Sequence, residues 1–225
     1  FMLIIDYKKN IYLLFVMLFF LSSVYSQNND FRGWSEIEYN LDINNKISLA
    51  LSQHFRLKED FNIVDSYITE SEITYSPVKK LKLSGELRYY YRNDNSGGFQ
   101  GFENMYRYRL GIEKRFNTAP LNFELRLAYQ NRVSLDRENR FKKRIRIRPL
   151  AEIKIKEWKN RPKLFYEYFN EIDGSDQKAH RYGISLKKEL NKNQSLIIRY
   201  FFQKYDEKII SDFTNNIISI KYSFN

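Results

Sequence analysis

The sequence predicts an all-β protein, a transmembrane antiparallel up-and-down β-barrel of about 10 to 12 strands. Three observations predict it. Apolar and polar residues alternate strictly through most of the chain past residue 30, the polar faces so formed are dense in arginine and glutamate, and short connections alternate with long polar ones. A helix would repeat apolar residues every three or four positions, whereas alternation at period two marks a strand with two chemically different faces.

The chain opens with Lys8 and Lys9, an apolar run from Ile11 to Leu21, and SSVYSQ, with Val24 and Ser26 where a signal peptidase needs small or compact side chains. The run is well short of the roughly 20 apolar residues that span a bilayer as a helix. The expected organisation is therefore a secretory signal over 1–26, cleaved after Ser26, and a single barrel domain over 27–225. FRGWSEIEYNL, residues 31–41, alternates, but including it makes eleven strands and breaks the even-number rule of single-chain bacterial barrels. Counting from Lys46, ten strands fit with both ends periplasmic. Either a twelfth strand hides near residues 27–33 or 31–41 is not a regular wall strand.

Ile47, Leu49, Leu51, Phe55 and Leu57 share one face of the next strand, opposite Ser48, Ala50, Ser52, His54 and Arg56. A weaker strand lies at 65–76. Leu81, Leu83, Leu87, Tyr89 and Tyr91 then oppose Lys82, Ser84, Glu86, Arg88 and Arg92, and Tyr106, Tyr108, Leu110 and Ile112 oppose Arg107, Arg109, Glu113 and Arg115. Leu121, Phe123, Leu125, Leu127 and Tyr129 oppose Asn122, Glu124, Arg126 and Gln130. FKKRIRIR, 141–148, taken alone suggests a nucleic-acid patch. Its spacing removes that reading: Phe141, Ile145 and Ile147 alternate with Lys142, Arg144, Arg146 and Arg148, half of a long amphipathic strand. Nucleic acid is thus not an expected partner. Later strands centre on 164–170, 181–190, 195–204 and 213–224.

A soluble sandwich would turn the apolar faces inward, and a membrane barrel turns them outward. The polar faces favour the barrel, because arginine forks can pair with carboxylates across a lumen while their spare donors reach water. Glu86, Arg88, Arg107, Arg109, Glu124, Arg126, Arg144, Arg146, Arg148, Glu167 and Arg199 form the expected lumen charge network, with Glu124 and Glu167 as partners of the 144–148 arginines. Tyrosines such as Tyr89, Tyr106, Tyr129, Tyr166, Tyr200 and Tyr222 near strand ends suit interfacial girdles. DINNK, SPVKK, NTAP and NKNQ are short links, against the long NDNSGGFQGFE and EIDGSDQKA; outer-membrane barrels put short turns on the periplasmic side.

The chain carries 38 basic and 27 acidic residues, and it lacks cysteine, which excludes disulfides, thiolate metal sites and cysteine nucleophiles. No glycine-rich phosphate loop and no EF-hand-like spacing occurs, so no cofactor and no metal is expected. Only His54 and His180 could serve a hydrolase, and neither stands in a motif resembling the outer-membrane phospholipase or deacylase families. The strands LSGELRYYYR, MYRYRLGIEKRF, LRLAYQNR, FKKRIRIRPLAEIKI and HRYGISLKKELNKNQSLIIRYFFQK resemble those of the outer-membrane barrel family catalogued as domain of unknown function 2490, typical of Bacteroidota, over residues 30–225. That resemblance implies a barrel in the outer membrane of a Gram-negative bacterium and transfers no functional residues. The expected function is a non-catalytic outer-membrane protein with a structural or interaction role and a narrow, charge-filled lumen. The alternatives are a narrow channel for small polar or anionic solutes and a lipid-acting hydrolase. Expected partners are outer-membrane lipid, the barrel-insertion machinery through the C-terminal strand IISIKYSFN, and an unidentified outer-membrane protein.

Overall fold

The computed structural model describes residues 29–95, 100–118, 121–138, 140–155, 160–174, 177–206 and 213–225. The expected export signal lies outside the described residues. Eleven strands form one closed barrel: β1 (Asn29–Asp42), β2 (Ile47–Lys58), β3 (Ile63–Val78), β4 (Leu81–Asp94), β5 (Gly101–Thr118), β6 (Leu121–Ser134), β7 (Phe141–Ile153), β8 (Lys163–Glu171), β9 (Lys178–Glu189), β10 (Gln194–Asp206) and β11 (Thr214–Phe224).

From β2 to β11 each strand pairs antiparallel with the next, and both ends of this ten-strand run lie at the rim of short turns. β1 is a full wall strand inserted between β2 and β11, so residues 31–41 do belong to the wall. It runs antiparallel to β2 from Gly33↔Leu57 to Asp42↔Ser48 and parallel to β11 from Asn29↔Thr214 to Tyr39↔Phe224. The expectation of antiparallel pairing throughout is thus corrected at one seam. The reason is parity: in a ring of eleven strands of alternating direction, the first and last run the same way, so closure between them is parallel.

The outer surface is apolar. Leu51, Ile73, Leu87, Leu110, Ile198 and Ile220 are all exposed on different strands around the ring. Soluble proteins rarely expose a contiguous apolar patch beyond a few hundred Å², whereas a barrel wall in lipid requires such a belt. Tyr67, Tyr91, Tyr106 and Tyr182 ring the belt on the long-loop side, and Tyr39, Tyr75, Phe116 and Phe123 on the short-turn side. Among the described residues every strand has a paired neighbour on both sides, as the bilayer demands.

Two local devices hold the wall. Between β2 and β3, Glu59, Asp60 and Phe61 all take left-handed φ (54°, 56° and 67°), a run that L-residues avoid at roughly 1–2 kcal/mol each. The turn is fastened to β1: Phe31 donates its backbone N–H to Asp60 Oδ1 at 3.1 Å, and Asp60 donates its own to Asp30 Oδ1 at 3.1 Å. Inside the barrel, the tip of the Phe165 ring reaches over Gly183, its strand partner; a Cβ there would fall 2.2 Å from the ring.

Candidate functional site

The inward faces enclose a cavity of about 860 Å³ whose lining runs from Asn40, Thr74 and Lys82 at the short-turn rim to Lys142 and Gln177 at the loop rim. Among the described residues, twenty arginine and lysine side chains line it, against eight carboxylates. Strand pairing explains where the paired charges fall. On β4 and β5, Glu86 is the register partner of Arg109, one step from Arg107, and its buried carboxylate is held by both. Arg109 also reaches Glu72 at 2.8 Å, and Arg88 pairs with Glu70 across β3 and β4.

Further round, Arg126 donates to Glu113 through Nε at 3.0 Å and Nη2 at 2.7 Å. The three arginines of FKKRIRIR all point inward, and each has its own partner. Arg146 pairs with Glu167 at 2.7 Å and donates to Gln130 Oε1 at 3.0 Å. Arg148 lies 3.5 Å from Glu124, which Arg115 also holds at 3.1 Å. Arg144 pairs with Glu171, a residue the sequence reading did not single out. At the parallel seam Lys221 pairs with Glu36 at 2.9 Å and with Glu38, and Arg199 lies 3.6 Å from Glu36. All eleven expected network residues therefore face the lumen or its wall, but in separate clusters rather than one ladder.

The carboxylates of Glu70, Glu72 and Glu86 approach within 4.8 Å of one another, close enough for a metal ion. Arg88, Arg107 and Arg109 already meet their charge, so the donor set fits an ion-pair cluster.

The chain matches the family model described as "Protein of unknown function (DUF2490)" over residues 31–212. The chain belongs to this family. No curated protein matches it. Among solved structures it is similar to an anion-selective porin from Comamonas acidovorans at 13% identity and a TM-score of 0.41, over 81% of this chain and 54% of the porin. The chain thus spans about half of that porin's length. It is also similar to a loop-deletion mutant of OmpT, an outer membrane protein of Vibrio cholerae, at 10% identity and a TM-score of 0.43, over 80% of this chain and 86% of that one.

Sequence reasoning missed an aromatic layer in the lumen of this DUF2490 member. Trp34, Phe165, Phe169 and Phe201 face inward from β1, β8 and β10; Arg181 lies within 5.5 Å of the ring centres of Trp34, Phe169 and Phe201, and Arg56 sits 4.1 Å from that of Trp34. The alternation pattern held the signal, since each of the four shares the parity of inward charged residues on its strand, Arg32 and Glu36 on β1, Glu167 on β8 and Arg199 on β10. Sequence reasoning also missed the loop-rim cluster in which Arg140 joins Asp94 at 2.9 Å to Glu103 at 2.7 Å. The two histidines stand apart from each other. His54 lies between Glu36 at 3.8 Å and Glu70 at 3.7 Å, and His180 faces outward at the loop rim between the Tyr166 hydroxyl and Asp206. Among the described residues no serine is hydrogen-bonded to either.

Proposed function

We propose that this protein is an outer-membrane barrel of a Gram-negative bacterium, exported by its amino-terminal signal, whose narrow lumen passes small anions. The excess of cations around the cavity carries this reading. Even when Glu86, Asp94, Glu103, Glu152 and Glu171, which stand in the wall outside that lining, are added to the eight carboxylates facing it, they leave the twenty cations in surplus. Low-dielectric walls lined by one sign of charge concentrate counter-ions. The 860 Å³ cavity is lined from residues at the short-turn rim to residues at the loop rim and has room for water and small ions.

A purely structural barrel remains the rival reading, favoured by the ion-pair clusters that cross the lumen. Planar-bilayer recording on the purified, refolded protein decides between them. In a potassium chloride gradient the expected result is a small current whose reversal potential has the sign of chloride preference. A cation preference, or a folded protein that passes no current, would sink the anion-path reading.

A further inference from the structure

Four successive strands present a cation at one register position. Arg88 is the direct partner of Arg107, Arg107 of Arg132, and Arg132 of Lys142. Like charges directly opposite one another destabilise a sheet, so such a row needs compensation. Three members have it: Arg88 from Glu70, Arg107 from Glu86, and Lys142 from Glu171 at 2.7 Å and Gln177 Oε1 at 2.9 Å. Arg132 does not. Among the described residues no acceptor takes a hydrogen bond from its guanidinium and no carboxylate pairs with it. The groups acting on it include the cations Arg92, Arg144 and Arg107, with the Tyr90 phenol acting in the opposite sense.

Arg132 also opens onto a second cavity of about 190 Å³ at the loop-side end of β6 and β7, which Ser134, Arg140 and Lys142 line on its polar side. Arg140 is committed to Asp94 and Glu103, and the Ser134 hydroxyl to Glu103. Arg132 is therefore the cation there with donors to spare, since Arg140 and Lys142 are taken up by Asp94, Glu103 and Glu171. The volume is several times the ~30 Å³ share of one water molecule, so it admits more than a bare halide.

We propose that Arg132 is the centre of an oxyanion-binding site at the loop-side mouth of the lumen, taking a phosphate- or sulfate-type group. A guanidinium presents parallel N–H donors that match two oxygens of such a group, which a spherical chloride cannot use. The proposal deepens the anion-path reading by naming the class of anion that the mouth selects. The group arrives either as the free inorganic ion or as the head of a small phosphate ester.

The test is calorimetric titration of the folded, detergent-solubilised full chain with inorganic phosphate and, separately, glycerol 3-phosphate, with chloride balancing ionic strength. The wild type should bind phosphate saturably, and Arg132→Gln should weaken binding by about tenfold or more, as expected for loss of a charge-assisted pair. Arg132→Lys should fall between. Lys187→Gln removes the same charge from the lining near the short-turn rim, where Lys187 pairs with Glu189 at 2.7 Å, and should leave binding unchanged. Tighter binding of the ester than of the free ion would assign the site to a carried phosphate group, and the reverse to the inorganic ion. Equal weakening in Arg132→Gln and Lys187→Gln would reduce the effect to general lumen potential and overturn the site, as would the absence of saturable binding. Because Arg132 has no partner to orphan, Arg132→Gln should keep the heat-modifiable folded form; if it does not, Arg132→Lys carries the comparison. An anion current without phosphate binding sinks the site and leaves the path, and binding without current does the opposite.

Discussion

Replacing Glu86 with glutamine tests whether the lumen clusters hold the barrel together. The Glu86 side chain has no exposed surface, and its two oxygens are taken by Arg107 and Arg109, each under a tenth exposed. Glutamine keeps the shape and one acceptor but removes the charge, leaving Arg107 without its paired carboxylate and Arg109 with Glu72 alone. Removing one partner of a buried pair costs about 3–5 kcal/mol. Arg109 retains Glu72 at 2.8 Å and both guanidinium groups border the water-accessible cavity, which favours the lower end, about 3 kcal/mol. For a domain of this size each kcal/mol shifts the midpoint by about 2–4 °C, so the expected loss is roughly 6–12 °C. The melt is followed by far-ultraviolet circular dichroism in detergent and checked by the heat-modifiable shift on a gel. Glu189→Gln is the control, because that carboxylate pairs with Lys187 on an exposed rim and should cost under about 1 kcal/mol. A Glu86→Gln barrel within about 1 kcal/mol of wild type would refute the claim that the pairs are structural.

Other substitutions probe the faces and the turns. Leu127, exposed midway along β6, should tolerate arginine poorly, at a cost of about 2–4 kcal/mol in vesicle unfolding; tolerance there would mean that the outer face does not meet lipid. Gly183→Ala drives a methyl into the Phe165 ring and should destabilise by about 1–3 kcal/mol, with Phe165→Leu restoring part of the loss. Glu59→Gly relieves a left-handed φ at an exposed side chain and should raise the melting midpoint, by about 1 kcal/mol of stability. Asp60→Ala removes the acceptor for the Phe31 N–H and should lower the midpoint by a similar amount.

The parity of each strand was legible because side-chain period two is a local property of the backbone: Leu125 outward and Glu124 inward follow from alternation alone. The turns at 42–46 and 191–194 were legible for the same reason, being short polar interruptions between alternating runs. What was not legible is non-local. The parallel seam depends on which strand end β1 meets across the ring, and no residue in FRGWSEIEYNL encodes its partner. Register sets the ion pairs, and one step of two residues changes a partner: Arg144 meets Glu171 because β7 and β8 align them as direct partners, while Glu167 goes to Arg146 and Arg181. The inward aromatics broke the expectation that a polar face holds only polar residues, and Trp34 and Phe201 stand there because arginine planes can lie over them.

Register separates two kinds of arginine in one lumen. Where a row places glutamate between cations, as Glu86 lies beside Arg109 and one step from Arg107, charge closes locally and the side chains serve as filling. Where a row places cations side by side across β4, β5, β6 and β7, closure is borrowed from other rows, and the borrowing stops at Arg132. A barrel held only for stability gains nothing from an unpaired guanidinium in a cationic neighbourhood. The uncompensated member stands at the loop-side mouth of the lumen and opens onto a cavity of its own, within reach of a solute arriving from that rim.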